Sequence, residues 1–302
     1  MTIAITGGTG FVGQAVLDEA AKRVLDVRAL TRRERYARPG VEWVPGDLAD
    51  REGLARLMRG VEAAIHIAGA VNAPDKAGFE EANVRGTLRV LEAAKKAGVP
   101  RLIFVSSLAA REPRLSLYGA SKARAEKLVA ASGLDWTIVR PPAVYGPRDR
   151  EFLDLFKAAR WGVVPMPKDG RSSYIHVTDL ARLLLDLLPG GEDVTGAIFE
   201  PDDGRANGWP HREFGRAIGW AIGKRPFVPG LSKGVLQRVA SIDGKVRGPK
   251  AKLTQDRVGY MTHPDWVSSP ARAVPAGLWQ PRIATREGLK ATADWYRAEN
   301  WL

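Results

Sequence analysis

Thr6-Gly7-Gly8-Thr9-Gly10-Phe11-Val12-Gly13 follows the apolar run Ile3–Thr6 and leads into an amphipathic stretch from Phe11 to Arg23. A strand that breaks into glycines and resumes as a helix is a turn whose backbone can be approached closely. Gly7 permits the tight turn, Gly10 leaves the backbone bare for a pyrophosphate, and Gly13 lets helix and strand pack together. The helix start at Phe11 and Val12 then offers N–H groups and the positive end of the helix dipole to phosphates. In this strand–turn–helix context the spacing Gly-x-x-Gly-x-x-Gly marks a dinucleotide site.

The rest of the first half alternates in the same way. Strands are predicted near Val27–Leu30, Glu42–Pro45, Ala63–Ile67, Leu102–Val105 and Trp136–Val139, and helices over Phe79–Ala97 and Tyr118–Ala131. Such alternation implies βαβ units, right-handed crossovers and a parallel sheet covered on both faces. The fold class expected is therefore α/β, a doubly wound parallel sheet of the Rossmann kind. Past Arg140 the rhythm breaks at Pro141, Pro142, Pro147, Pro165 and Pro167, around a helix near Glu151–Trp161. One unit, Tyr174–Ile175 leading into Val177–Leu188, is expected to return to the main sheet. A final helix is expected at Arg286–Ala298. The division implied is a dinucleotide-binding domain of residues 1–141 and 173–198. A smaller, discontinuous substrate lobe of residues 142–172 and 199–302 is expected to cap the carboxyl ends of the strands.

Composition narrows the function. The chain has 302 residues, 45% hydrophobic and 26% charged, and no cysteine. That is an ordinary globular make-up without disulfides or thiolate metal sites, and it suits a reducing cytoplasm. No stretch has the form of a secretion signal or approaches the length of a transmembrane helix. His66, His176, His211 and His263 are far apart and show no ligand spacing, so no metal is expected. His176 reads as a structural histidine and Asp179 as a helix-start residue. The net charge is +12, and much of it lies in residues 205–257, where twelve Lys/Arg face only Glu213, Asp243 and Asp256, among Pro210, Pro226, Pro229 and Pro249. No aromatic-and-basic recognition motif accompanies that run, so nucleic acid is not expected. An anionic small-molecule substrate fits it. So does peripheral contact with a membrane surface, which would also use the tryptophans of the C-terminal lobe.

The end of the second strand reads Leu30-Thr31-Arg32-Arg33-Glu34-Arg35. An acid here would hold the ribose 2′-OH of NAD(H), whereas Arg32 and Arg33 suit a 2′-phosphate through charge-assisted bonds. NADP(H) is therefore favoured and NAD(H) left open, with Glu34 as the displaced acid. Asp47, followed by Leu48, is placed to meet the adenine ring or to cap the next helix. Tyr118 and Lys122 stand one turn apart on one helix face, where the ammonium can lower the tyrosine pKa for proton transfer and also hold the nicotinamide ribose. Ser106 and Ser107 end the strand before them, where a hydroxyl can polarise a carbonyl.

These pieces together resemble the short-chain dehydrogenase/reductase superfamily, in its extended branch of nucleotide-sugar epimerases, dehydratases and 3β-hydroxysteroid dehydrogenases. The similarity runs through Thr6–Gly13, Gly46-Asp47-Leu48, His66-Ile67-Ala68-Gly69, Asn83–Thr87, Val105-Ser106-Ser107, Tyr118–Lys122, Arg140–Pro147, Ile175–Asp179 and the tail from Gly288. The resemblance implies that Tyr118 is the general acid/base, Lys122 its partner and ribose ligand, and Ser107 the carbonyl-polarising group. It also implies that Ala68 and Gly69 line the cofactor by backbone. The chain after Pro141, through Val144, would meet the nicotinamide, and Asn83 would brace the network. It allows a homodimer through the long helices. The chain departs from the branch in one respect: Ser107 and Tyr118 are eleven residues apart where many members have about two dozen, which makes Ser116 a reserve for Ser107. The expected activity is hydride transfer to or from a carbonyl or secondary alcohol. The alternatives are epimerisation with tightly held NAD and a non-catalytic dinucleotide sensor.

Overall fold

The computed structural model describes residues 1–248 and 251–302, so Pro249 and Lys250 of the basic run lie outside the described residues. In chain order the first elements are β1 (Thr2–Thr6), α1 (Phe11–Lys22), β2 (Asp26–Thr31), β3 (Val41–Pro45), α2 (Arg51–Met58), β4 (Ala63–His66), α3 (Lys76–Phe79), α4 (Gly86–Ala97), β5 (Arg101–Val105), α5 (Leu117–Ala130) and β6 (Asp135–Val139). There follow β7 (Ala143–Tyr145), α6 (Leu153–Arg160), β8 (Met166–Pro167), β9 (Arg171–Ser172), β10 (Tyr174–His176), α7 (Val177–Asp186) and β11 (Ala197–Phe199). The last are β12 (Trp209–Pro210), α8 (His211–Ala221), β13 (Gly230–Leu231), α9 (Lys233–Arg247), α10 (Gln255–Met261), β14 (Asp265–Trp266) and α11 (Thr285–Ala298).

The chain divides into two units. The first comprises Met1–Arg140, Leu180–Glu200 and Arg272–Trp279, and the second the remaining segments. In the first, seven parallel strands run in the order β11-β6-β5-β4-β1-β2-β3. This is the doubly wound Rossmann sheet. Helices cover both faces, so β5 is buried at every position and its side chains need no polar alternation. Leu54, Leu57, Val90, Leu102, Phe104 and Ile138 belong to the core on one face. Strand order reverses between β2 and β4 around β1, with Thr6 paired to His66. The crevice beyond the carboxyl ends of β1 and β4 is where such sheets take ligands.

Four expectations change. Tyr174–His176 does not rejoin the main sheet; it pairs with Ala143–Tyr145 in a separate two-stranded sheet, and the seventh strand is Ala197–Phe199, beside Thr137–Val139. A short apolar run signals buried pairing without saying with which partner. Residues past 199 do not all join the second unit either. Arg272–Trp279 belongs to the first, where the Glu200 amide donates to the Arg272 carbonyl. Helix Phe79–Ala97 is interrupted by a π-helical segment, Glu80–Arg85, that contains Asn83. Asp47 is not the cap of α2. Its Oδ1 accepts from the Ala49 and Asp50 amides in a local turn, and Asp50 caps the helix three residues later.

The second unit is built from short pieces. Its aromatic core stacks Tyr174 on Phe214 at 3.6 Å and packs Phe156 edge-on to Tyr296. Asp179 lies in the first turn of α7, and its carboxylate also accepts from the Arg282 and Ile283 amides. His176 uses Nδ1 to accept from the Thr178 amide.

Candidate active site

The glycine turn sits at the switch point as its spacing demands. Gly7 has φ +78, and a Cβ on it would lie 2.7 Å from the Ala68 nitrogen. A Cβ on Gly13 would fall 2.1 Å from the Gly7 carbonyl oxygen. Neither position admits a side chain. Helix α1 starts at Phe11 behind an exposed Gly10 with no side-chain cap. The glycines let the turn pack on the Ile67–Ala68 backbone and on itself, and the helix start at Phe11, Val12 and Gly13 has no side-chain cap, which fits an anionic dinucleotide phosphate. Arg32 and Arg33 follow β2 as exposed residues, and neither makes an ion pair among the described residues. Leu48 is half-buried beside the core, and Asp47 is exposed.

Across the switch point runs a directed chain of hydrogen bonds. The Thr87 hydroxyl donates to the Asn83 carbonyl at 2.7 Å, so towards His66 it can only accept. His66 therefore carries its proton on Nε2, 3.0 Å from Thr87, and Nδ1 accepts from Thr6 at 2.6 Å. The Thr6 oxygen in turn accepts from the Ala68 amide. Burial, with Lys122 adding to it, drives the His66 pKa down to about 3, so the ring stays neutral. Asn83 closes the other side. Its Oδ1 accepts from the Ala70 amide at 2.7 Å, and its Nδ2 donates to the Ala70 carbonyl and to Ser121 Oγ, both at 2.9 Å. Ser121 then donates to the Tyr118 carbonyl. The Ala68–Ala70 backbone is thereby latched to the first turn of α5.

Helix α5 begins where Ser116 Oγ accepts from the Gly119 amide, so the reserve serine serves as the helix cap. Tyr118 lies in the first turn, partly exposed, with its ring 6.1 Å from that of Phe79. One turn later Lys122 is buried. Its Nζ donates to the Val105 carbonyl at 2.8 Å and sits 4.6 Å from the Phe104 ring centroid. Desolvation pulls its pKa down to about 8, and Glu126, a further turn along, opposes that fall. Ser107 is partly exposed at the end of β5; its Oγ accepts from the Ala109 amide at 3.2 Å, leaving the hydroxyl proton for another acceptor. Ser106 turns inward and donates to Glu126 at 2.5 Å.

Glu126 opens an ionic network that the sequence reading missed. Arg140 holds it through two bonds, at 2.8 and 2.6 Å, and also reaches Glu200 at 3.3 Å. Arg111 and Arg272 approach the same buried Glu200. Two buried carboxylates are thus balanced by three guanidinium groups beyond the ends of β5, β6 and β11. The signal available in the sequence was only the i+4 spacing of Glu126 from Lys122. Thr6, Thr87 and Ser121 carried no signal of their own. Of the other expected residues, Pro141 begins the second unit and Val144 lies in β7, paired with Ile175. Among the described residues no group of three acidic, histidine or cysteine side chains could hold a metal ion.

Residues 3–199 match the NAD dependent epimerase/dehydratase family, and the chain belongs to it, within the extended short-chain dehydrogenase/reductase superfamily. It is 37% identical to a ceramide reductase of Caulobacter vibrioides, over 99% of this chain and 96% of that one. It is 28% identical to a 2-alkyl-3-oxoalkanoate reductase of Stenotrophomonas maltophilia, over 96% and 98%. Among solved structures it is similar to MoeE5 in complex with UDP-glucose and NAD, with TM-score 0.77 and 23% identity, covering 99% of this chain and all of that one. The chain is an NAD(P)-dependent enzyme of the oxidoreductase/epimerase type. No described helix is long and apolar enough to cross a membrane.

Proposed function

We propose that this enzyme is an NADP(H)-dependent reductase of a ketone carried on a long-chain, lipid-like molecule. The observation that carries the chemistry is Lys122, a buried cation fixed on the Val105 carbonyl one turn from Tyr118 and beside the serine-ended strand. The substrate class rests on the relatives whose names specify a ceramide and a 2-alkyl-3-oxoalkanoate. The amides at Gly7–Gly13 would hold the pyrophosphate and Arg32 with Arg33 the 2′-phosphate. Asp47 and Leu48 would meet the adenine ring, and the Ala68–Gly69 backbone and Lys122 the ribose side. Asn83 keeps that backbone in place, and Pro141 and Val144 are assigned to the nicotinamide end.

A nicotinamide held there would supply hydride to the carbonyl carbon. Tyr118 gives its phenolic proton to the carbonyl oxygen, so ketone, NADPH and a proton become alcohol and NADP⁺. The Lys122 ammonium stabilises the phenolate left behind, and Ser107 donates its free proton to the oxygen as charge builds on it.

The test is turnover of a long-chain 3-oxo amphiphile, followed as loss of nicotinamide absorbance, with NADPH and with NADH. NADPH is expected to bind about tenfold tighter or more, through charge-assisted contacts that Arg32→Ala removes. Equal or better binding of NADH overturns the cofactor assignment. Absence of turnover with both cofactors on both long- and short-chain ketones overturns the reductase.

A further inference from the structure

Helix α9, Lys233–Arg247, has an apolar face that none of the described residues of the second unit covers. Val235, Val239, Ile242 and Val246 are 40, 44, 62 and 77% exposed. At 3.6 residues per turn these four positions fall within an arc of roughly 60°. They form one continuous stripe along the whole helix. It is distinct from the packing seam, where Leu236 and Ala240 are buried against Val258 with Leu231 and Leu253 beside them. A water-facing helix ordinarily shows polar residues opposite its seam, and scattered apolar residues need no explanation. A four-residue stripe does.

Charge says what covers it. Arg238 and Lys245 border the stripe on its outer side, and neither has an ion-pair partner among the described residues. Three other cations of the basic run, by contrast, are matched: Lys252 pairs with Asp154, Arg257 with Glu151 and Arg205 with Glu213. The single acid of α9, Asp243, is half-buried and occupied by the Lys252 and Leu253 amides and by Arg247. Among the described residues the stripe therefore carries unmatched positive charge along one border and no free negative charge. An apolar face edged by free cations is complementary to a surface that is apolar below and anionic above.

We propose that α9 lies on the surface of an anionic lipid bilayer, with Val235, Val239, Ile242 and Val246 entering the acyl boundary and Arg238 and Lys245 at the headgroup phosphates. Their long stems let the charges stay at the phosphates while the helix sinks. The proposal goes beyond the reductase assignment and does not rest on it, because binding is measured without turnover.

The experiment is co-sedimentation of the full chain with phosphatidylcholine vesicles, with and without phosphatidylglycerol, at low and high salt. Binding is expected only to phosphatidylglycerol-containing vesicles and is expected to weaken with salt. The Val239→Asp/Ile242→Asp variant should lose it by about tenfold or more, and Arg238→Gln/Lys245→Gln should weaken it and flatten its salt dependence. Thermal melts of both variants should match the parent, since the altered side chains are exposed. The chain has no cysteine, so Val246→Cys can carry a single environment-sensitive dye. Its emission should shift to the blue on phosphatidylglycerol vesicles, while the same dye on Val24→Cys, 89% exposed in the first unit, should not respond. Absence of sedimentation with phosphatidylglycerol vesicles overturns the proposal, as does sedimentation that the aspartates leave intact. A dimer in light scattering that Val239→Asp/Ile242→Asp converts to monomer also overturns it, by assigning the stripe to a second copy of the chain.

Discussion

Charged side chains are handled in opposite ways in two regions, one from each unit. In the first, the charges at the ends of β5, β6 and β11 are buried and matched: Glu126 and Glu200 are held by Arg140, with Arg111 and Arg272 completing the set. In the second, Lys252–Asp154 and Arg257–Glu151 bridge elements at the surface, and Arg238 and Lys245, beside exposed aliphatic groups, have no ion-pair partner among the described residues. Trp161 and Phe227 are exposed there as well. A buried network fixes one geometry because breaking any member strands a charge in a low dielectric. A surface of unpaired cations and aliphatic groups fixes nothing inside the molecule and is available to a partner. The first arrangement suits positioning for chemistry, the second recognition.

Substitutions can test that contrast. The largest effect is expected from Tyr118→Phe, which should lower kcat by about 10²–10⁴-fold, the range of a general acid. NADPH affinity by tryptophan fluorescence should hardly change, and residual activity within tenfold of the parent would place the proton donor elsewhere. Next, Glu126→Ala should destabilise the fold by about 3–5 kcal/mol in urea unfolding, because it leaves the Arg140 guanidinium buried and half-paired. A loss near that of a surface pair would make the two regions alike and break the contrast.

His66 gives a pH signature. Its pKa is near 3 when folded and 6.5 when unfolded, so the unfolded chain binds more protons between those values. Its contribution to stability is whole above pH 6.5 and falls as pH drops towards 3, by up to about 1.4 kcal/mol per unit. His66→Gln should flatten that part of the stability–pH curve, measured against the parent in the same buffers. His176, held near 4 by burial, titrates in the same window in both proteins and cancels in the difference. Smallest is Lys252→Ala, for which about 0–1 kcal/mol is expected in the same unfolding assay, since its partner Asp154 is half in water.

Much of the first unit was legible because its signals are local. The Gly7–Gly13 spacing, the alternation of strands and helices, and Tyr118 one turn before Lys122 all depend on residues near in sequence. Backbone geometry translates such spacings directly into shape. The serine-ended strand and the arginines after β2 were visible for the same reason. The partner of Tyr174–His176 was not, because apolar three-residue strands look alike and pairing is settled by which edge is open. The cap of α2 is Asp50 rather than Asp47 because the helix starts at Arg51, which puts the Gly53 amide beside Asp50 and leaves Asp47 to the Ala49 and Asp50 amides of the preceding turn. The basic run 205–257 was visible as charge, but the sequence count could not separate matched cations from free ones.

By itself, then, the sequence determined the doubly wound sheet, the glycine turn between β1 and α1 and the order of the serine, tyrosine and lysine, since each is written in periodicities of two, 3.6 or a fixed glycine spacing. Only the tertiary structure decided the neutral tautomer of His66, the amide latch of Asn83 to Ala70 and Ser121, and the enclosure of Glu126 and Glu200 by three arginines. It also decided which cations of α9 find no ion-pair partner among the described residues. Those depend on groups tens to more than a hundred residues apart meeting in three dimensions, and on burial, which sets whether a charge must find a partner.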